Sequence, residues 1–198
     1  TSYAMEGSIF IAGAGVQWLR DRMKFFKKAP ETEKIVKSLN NNNDIYLVPA
    51  FTGLGAPYWD ANARGVLSGI TRDTSPKEIV RATIEAVAYQ TFDLFEAMKH
   101  DGLRPKIVKV DGGMVMNNWF SQFLSDIVNV KVLRPKVQET TALGAAFMAG
   151  LQIGVYKSLK DISKNWHLDK KFSPKMKNKS RSVLIKGWEK AVKRALIN

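Results

Sequence analysis

The sequence contains no cysteine and only two histidines. Without cysteine, the chain can form neither a disulfide nor a thiolate metal site. His100 and His167 lie far apart in the sequence, each among polar neighbours. A histidine metal site is therefore not expected.

Long apolar runs are missing too, since no run of roughly 18 apolar residues occurs. A membrane-spanning helix is therefore not expected. Thr1-Ser2-Tyr3 leads directly into structured-looking sequence, without the basic and apolar regions of a signal peptide. We therefore expect a cytoplasmic protein. Its 198 residues, of which 45% are apolar, are enough for one domain with a hydrophobic core.

Positive charge is in excess, with a net charge of +13. From Tyr156 to the C-terminus, 13 Lys or Arg residues stand against three acidic residues. One hypothesis is a basic nucleic-acid-binding module. The segment has only four aromatic residues, which do not form the interleaved pattern that base stacking requires, and it matches no nucleic-acid-binding motif. The charge pattern therefore favours solvated faces of amphipathic helices, and nucleic acid is not an expected partner.

Strand and helix patterns alternate along the chain, which indicates the α/β class. Ser8, Ser75 and Thr140 are predicted to cap helices, with Glu78 completing a capping box. The predicted strands are 3–7, 45–48, 66–70, 107–110 and 130–133, and the predicted helices are 8–28, a stretch within 30–44, 74–99, from 117, from 140, 159–166 and 179–196. We expect a mixed sheet flanked by helices that lacks its first strands.

The stretch 106–122 combines a strand, a two-glycine turn and a helix start. Its apolar run 107–110 predicts a buried strand. Gly112 and Gly113 let the chain turn sharply and let a flat group approach the backbone. The first amides of the helix after Asn117 are expected to be unpaired, which suits phosphate or ribose oxygens. The alternative is an ordinary strand-to-helix turn.

The first predicted helix contains Gly13 and Gly15, which are costly inside a helix unless something approaches closely. Gln17 lies one helical turn after Gly13 and so on the same face. This face suits an adenine ring, and the alternative is a tight contact with a neighbouring helix.

Two further segments have unusual composition. The loop 49–60 is dense in glycine, proline and aromatic residues, which is typical of functional or interfacial loops. It lacks the third glycine of a dinucleotide-binding fingerprint. The segment 139–150 is rich in alanine and glycine, so it predicts a helix whose small side chains let another helix come close. Such a helix could lie at a hinge between two domains, or it could simply be well packed.

Four segments together resemble the FGGY carbohydrate kinase family, which has a ribonuclease H-like, actin-like ATPase fold. They occur in the family's order and are YAMEGSIFIAGAGVQWLRD (3–21), PAFTGLGAPYWDANARGVLSGITRDT (49–74), VDGGMVMNNWFSQFLSDI (110–127) and ETTALGAAFMAGL (139–151). The second segment is most like the members that phosphorylate glycerol. The resemblance covers the C-terminal domain of the family, as residues 1–156, with a basic helical extension (157–198) packed on it.

The resemblance implies which residues bind the nucleotide. Gly13 and Gln17 would contact it from the first helix. Gly113 and Asn117, with the Gly112 turn, would hold adenosine and the phosphate side. The implied cofactors are ATP or ADP, with Mg²⁺ held mainly by the rest of the enzyme.

The family's phosphate loop, glycerol-contacting residues and catalytic aspartate all precede the matched region. In the whole enzyme that aspartate would act as general base on a glycerol hydroxyl, which attacks the γ-phosphate in line. The expectation is therefore a C-terminal ATP-binding part of an enzyme that makes glycerol 3-phosphate, with no catalytic residue of its own. Its expected partners are its own N-terminal kinase domain and, as a homo-oligomer, further copies.

Three alternatives remain at this point. The chain could be the same part of another FGGY sugar kinase, the basic nucleic-acid-binding module described above, or a non-catalytic interaction domain on an ATPase-like scaffold. An exposed strand edge and the shallow helix would serve self-association in the last case.

Overall fold

The computed structural model describes residues 4–196, and it confirms the α/β class. The helices are α1 Gly13–Asp21, α2 Glu31–Lys37, α3 Pro76–His100, α4 Asn118–Val128, α5 Thr140–Gln152, α6 Leu159–Ser163 and α7 Asn178–Ala195. The strands are β1 Tyr46–Val48, β2 Val66–Ser68, β3 Ile107–Lys109, β4 Lys131–Pro135 and β5 Leu168–Phe172. Among residues 4–196, no helix is both long and apolar enough to cross a bilayer.

The strands form two small sheets. β1 pairs antiparallel with β2, with Leu47 opposite Leu67. The second sheet has the order β3-β4-β5, in which β3 is parallel and β5 antiparallel to β4. The predicted mixed sheet is therefore confirmed. No strand forms over residues 4–7, and Tyr3 of that predicted strand lies outside the described residues.

Helix α3 is the central element of the core. Its start agrees with the sequence, because Ser75 is the N-cap and Glu78 completes the capping box. It packs against α1, α2, α4 and β1, so residues on all its sides are buried over its first half. Helices α1, α2 and α4 are therefore positioned by their packing against α3.

Several predicted boundaries were wrong. The first helix begins at Gly13, after an N-cap at Ala12 without a side-chain hydrogen bond, so Ser8 caps nothing. It ends at Asp21 because Lys24 takes a left-handed conformation with φ 60°. Likewise Thr140 is the first residue of α5 and its cap position is Glu139.

The strand β3 was predicted to be buried, but it lies at the edge of its sheet. Ile107 is 54% exposed and Val108 is only half-buried. An apolar alternating run indicates that a strand forms. It does not indicate whether another element covers that strand.

Strand β5 was not predicted, and it lies between the two helices predicted for the C-terminal extension, 159–166 and 179–196. Three of its five residues are charged, and only Phe172 is buried. It forms because Val132 to Pro135 of β4 offer a free backbone edge on that side. An ion pair between Asp169 and Arg134 (2.7 Å) then ties the two strands together.

The C-terminal helix α7 packs on β1, β2 and α4. Its Trp188 is fully buried and stacks on Tyr89 of α3, with ring centroids 5.3 Å apart. The indole Nε1–H donates to Asp93 Oδ2 at 2.7 Å, and the Tyr58 hydroxyl donates to the same oxygen at 2.9 Å. One buried carboxylate thus connects α3, α7 and the glycine-rich loop.

Candidate functional site

A cavity of about 430 Å³ lies between α1, the start of α2 and the turn that precedes α4. Gly13, Gln17, Gly113 and Asn117 all line it. These four residues are the predicted nucleotide contacts, and they come from two segments about a hundred positions apart. The fold therefore brings the four residues to one place.

The two glycines face open space. A Cβ added at Gly13 or Gly113 would meet no atom within 4 Å. Gly15 is different, because a Cβ there would lie 3.0 Å from Thr83 Cγ2 of α3. The two alternatives given for the first helix, a ligand-binding face and a tight helix contact, therefore apply to different glycines. Gly15 allows close packing on α3, and Gly13 leaves its backbone open to the cavity.

The turn before α4 requires glycine at Gly112, whose φ is 82° and ψ 174°. Its amide donates to Gln138 O at 3.3 Å. A short 3₁₀ helix, Gly113–Met116, follows it. The first amides of a helix have no partner within it, so Gly113 and Met114 bring backbone donors to the cavity wall.

Arg134 of β4 holds this 3₁₀ helix in place. Its Nη1 donates to Val115 O at 2.8 Å and to Met116 O at 3.3 Å, and its Nε donates to Asp169 of β5. The residue is only 6% exposed. Sequence reasoning missed it, although a buried charge in an apolar strand requires partners and could have drawn attention to it.

Asn117 performs two roles in the fold. Its Oδ1 accepts the Phe120 amide at 3.0 Å, which caps α4, and its Nδ2 donates to Thr32 Oγ1 at 3.4 Å. The side-chain carbonyl is therefore engaged by the helix. One Nδ2 hydrogen is left for another acceptor.

The expectation that the first amides of α4 are unpaired was wrong for Asn118 and Phe120. The Asn118 amide donates to Glu33 Oε2 at 3.3 Å, and the Phe120 amide is capped by Asn117. Glu33 comes from α2, 85 positions earlier in the chain. A local pattern cannot show that a distant helix supplies this partner.

The Glu33 carboxylate is a fixed negative charge on the cavity wall. Burial raises its pKa, but the hydrogen bonds from Lys37 and Asn118 outweigh this effect and bring the pKa below its ordinary value. The Lys37 Nζ lies 2.5 Å from Glu33 Oε1. The group is therefore ionised at neutral pH.

This arrangement suits a flat, partly apolar ligand with polar ends. Val16, Met114 and Met116 supply apolar surface between the open glycine backbone and the Glu33 carboxylate. The volume lies within the range of small-molecule sites, which is roughly 300–1,000 Å³. Among residues 4–196, no group of three or more His, Cys, Asp or Glu could hold a metal ion.

The sequence of the chain is similar to those of known carbohydrate kinases. Residues 1–153 match the model of the FGGY family of carbohydrate kinases, C-terminal domain. The chain is 56% identical over 193 residues to glycerol kinase 1 of Pseudomonas aeruginosa and 53% identical over 195 residues to a glycerol kinase of Thermoanaerobacter pseudethanolicus. In both cases 98% of this chain is covered but only 39% of the relative.

Solved structures support the same fold. The crystal structure of Plasmodium falciparum glycerol kinase with ADP matches with a TM-score of 0.86 and 38% identity, over 97% of this chain and 38% of that one. A ligand-bound xylulose kinase from Lactobacillus acidophilus matches with a TM-score of 0.77 over 95% of this chain and 38% of that one, at 24% identity, which supports the fold alone. The predicted ribonuclease H-like, actin-like ATPase fold is thereby confirmed. The chain belongs to the FGGY family of carbohydrate kinases, in the part that forms the C-terminal domain.

Proposed function

We propose that this chain is the ATP-binding part of a glycerol kinase, which phosphorylates glycerol to glycerol 3-phosphate. The observation that carries the proposal is the meeting of Gly13, Gln17, Gly113 and Asn117 around one cavity with open glycine backbone. The high identity to glycerol kinases adds support, as does the ADP named with the Plasmodium structure.

In this proposal the chain binds and orients the nucleotide. Backbone amides at the start of α1 and of the 3₁₀ helix serve the phosphate side, where helix amides suit anions. The side-chain amides of Gln17 and Asn117 serve the adenosine side. Mg²⁺, when bound with the phosphates, neutralises charge that develops during phosphoryl transfer.

The catalytic aspartate, the glycerol contacts and most of the Mg²⁺ site are assigned to the N-terminal part of the enzyme. The chain spans only 39% of the length of these relatives. Residues 1–156 are proposed as the nucleotide-binding domain and 157–198 as an extension packed on it. Assembly into a homo-oligomer is part of the same proposal.

Substituting Gly113 by Ala tests the nucleotide site. The added Cβ meets no protein atom within 4 Å, so the fold should be unaffected while the methyl group takes space that the nucleotide needs. We expect the affinity of the 198-residue chain for ADP to fall by about tenfold, or ~1.4 kcal/mol. Isothermal titration calorimetry or ligand-observed NMR measures this change.

Gly144→Ala is the matched control. A Cβ at Gly144 of α5 also meets open space, and this residue does not line the cavity. Its variant should bind ADP like the parent chain. Equal affinity of the Gly113→Ala variant and the parent would contradict the placement of the nucleotide.

The sugar substrate needs a separate test in the whole enzyme. Glycerol should be phosphorylated with a higher kcat/KM than xylulose, because the relatives at 52–56% identity are glycerol kinases. A coupled assay of ADP release with each substrate gives the ratio. A preference for xylulose would assign the chain to another FGGY sugar kinase.

A further inference from the structure

The α2 end of the cavity presents hydrogen-bond acceptors, and we propose that Glu33 uses this to select adenine over 6-oxo purines. The proposal rests on the proposed nucleotide site and assigns the base within it. The Glu33 carboxylate would accept a hydrogen bond from the exocyclic 6-amino group of adenine. It would face the carbonyl oxygen of hypoxanthine or guanine unfavourably.

Glu33 has acceptor capacity left for a ligand. Its Oε2 accepts the Asn118 amide at 3.3 Å and its Oε1 accepts from Lys37 at 2.5 Å. An ionised carboxylate offers about four lone-pair sites, so two acceptor positions remain. The side chain is 23% exposed and lines the cavity. The two protein contacts hold it in one orientation.

The neighbours of Glu33 at this end add few donors. The Thr32 hydroxyl donates its hydrogen to Ala29 O at 2.7 Å, and its oxygen accepts from Asn117 Nδ2. Pro30 has no N–H to offer. The remaining Nδ2 hydrogen of Asn117 is a side-chain donor that could serve a ring nitrogen. One donor beside a carboxylate complements the amino-and-nitrogen edge of adenine.

Arg20 is a cation that also lines the cavity, on α1. Its Nε and Nη2 donate to both oxygens of Asp21, at 2.7 and 2.8 Å, so two of its donors are engaged. Glu33 is paired with a different cation, Lys37 of α2. The same carboxylate repels polyphosphate, which leaves the glycine end of the cavity for the phosphates.

The test compares ADP with inosine diphosphate, in which a 6-oxo group replaces the 6-amino group. The parent 198-residue chain should prefer ADP. Glu33→Gln keeps the size of the side chain but removes the charge and adds a donor that can serve the 6-oxo group. The dissociation constant for inosine diphosphate divided by that for ADP should therefore be about tenfold lower in this variant than in the parent chain. Titration calorimetry or ligand-observed NMR measures both constants.

Glu31→Gln is the control, because Glu31 lies on the same helix and accepts the Lys28 amide but does not line the cavity. Its ADP preference should equal that of the parent. Glu33→Asp, which keeps the charge but withdraws it from the ligand, should also lower the ratio. If the Glu33→Gln variant unfolds below the assay temperature, the Glu33→Asp variant is used in its place.

The outcomes separate the two proposals. If ADP binds, Gly113→Ala weakens it and the Glu33 variants leave the ratio unchanged, base selection by Glu33 is wrong and the nucleotide site stands. If the parent chain binds neither nucleotide, or if Gly113→Ala has no effect on binding, the nucleotide site itself is wrong.

Discussion

Replacing Trp188 by Ala is expected to lower the free energy of unfolding by about 3–5 kcal/mol. The indole is fully buried and stacks on Tyr89, so its removal leaves a large cavity between α7 and α3. It also leaves the buried Asp93 carboxylate without the donor at 2.7 Å. Urea denaturation followed by circular dichroism measures the change.

Trp188→Phe separates the two contributions, because it keeps an aromatic ring and removes the Nε1–H. We expect a smaller loss of about 1–3 kcal/mol. Trp59→Phe is the control, since Trp59 is 75% exposed, and its effect should stay within about 0.5 kcal/mol. A loss for Trp188→Ala no greater than that of the control would show that the indole does not stabilise the core.

The burial of Asp93 makes the stability of the fold depend on pH. Burial raises the pKa of Asp93 from 3.8 to about 6, although the bonds from Trp188 and Tyr58 oppose this. Because the folded-state pKa is raised, the native chain binds more protons between the two values, and stability falls as the pH rises through about 6. The Trp188 donor favours the ionised form, so Trp188→Phe should cost more at about pH 7.5 than at about pH 5.

The parts of the fold that depend on local patterns were predicted from the sequence. Helix α3 has a proline, a capping box and regular apolar spacing within its own residues, and its start was predicted correctly. Gly13 and Gln17 share a helix face because of helical spacing alone. Their meeting with Gly113 at one cavity followed from the resemblance to the family, since no local pattern joins segments so distant in sequence.

The parts that depend on distant partners were not predicted. Glu33 approaches α4 from 85 positions away, and Arg134 stabilises the 3₁₀ helix from a neighbouring strand. Strand β5 has a charged sequence and forms because β4 offers it a free edge. In each case the hydrogen bond joins two elements that are distant in sequence. The residues of one element alone therefore do not predict the contact.

Replacing Glu85 by Gln is expected to cost about 3–5 kcal/mol of stability, because it leaves a buried cation without its counter-charge. Glu85 is fully buried in α3, and its Oε1 accepts from Arg81 Nε at 2.7 Å. The side chain of Arg81 is only 10% exposed, and its other contacts are the carbonyl of Leu39 and the ring of Trp119. Neither contact carries a negative charge that could replace Glu85. Thermal and urea unfolding measure the loss.

The same helix provides the control. Glu96 and Lys99 form an exposed ion pair at 2.9 Å, with side chains 43% and 45% exposed. Exposed pairs contribute about 0–1 kcal/mol, so Glu96→Gln should change stability little. A double substitution of Arg81 by Met and Glu85 by Leu removes both charges and should be more stable than Glu85→Gln alone. Equal losses for Glu85→Gln and Glu96→Gln would mean that water reaches Arg81, because only a desolvated guanidinium makes the loss of its partner so costly.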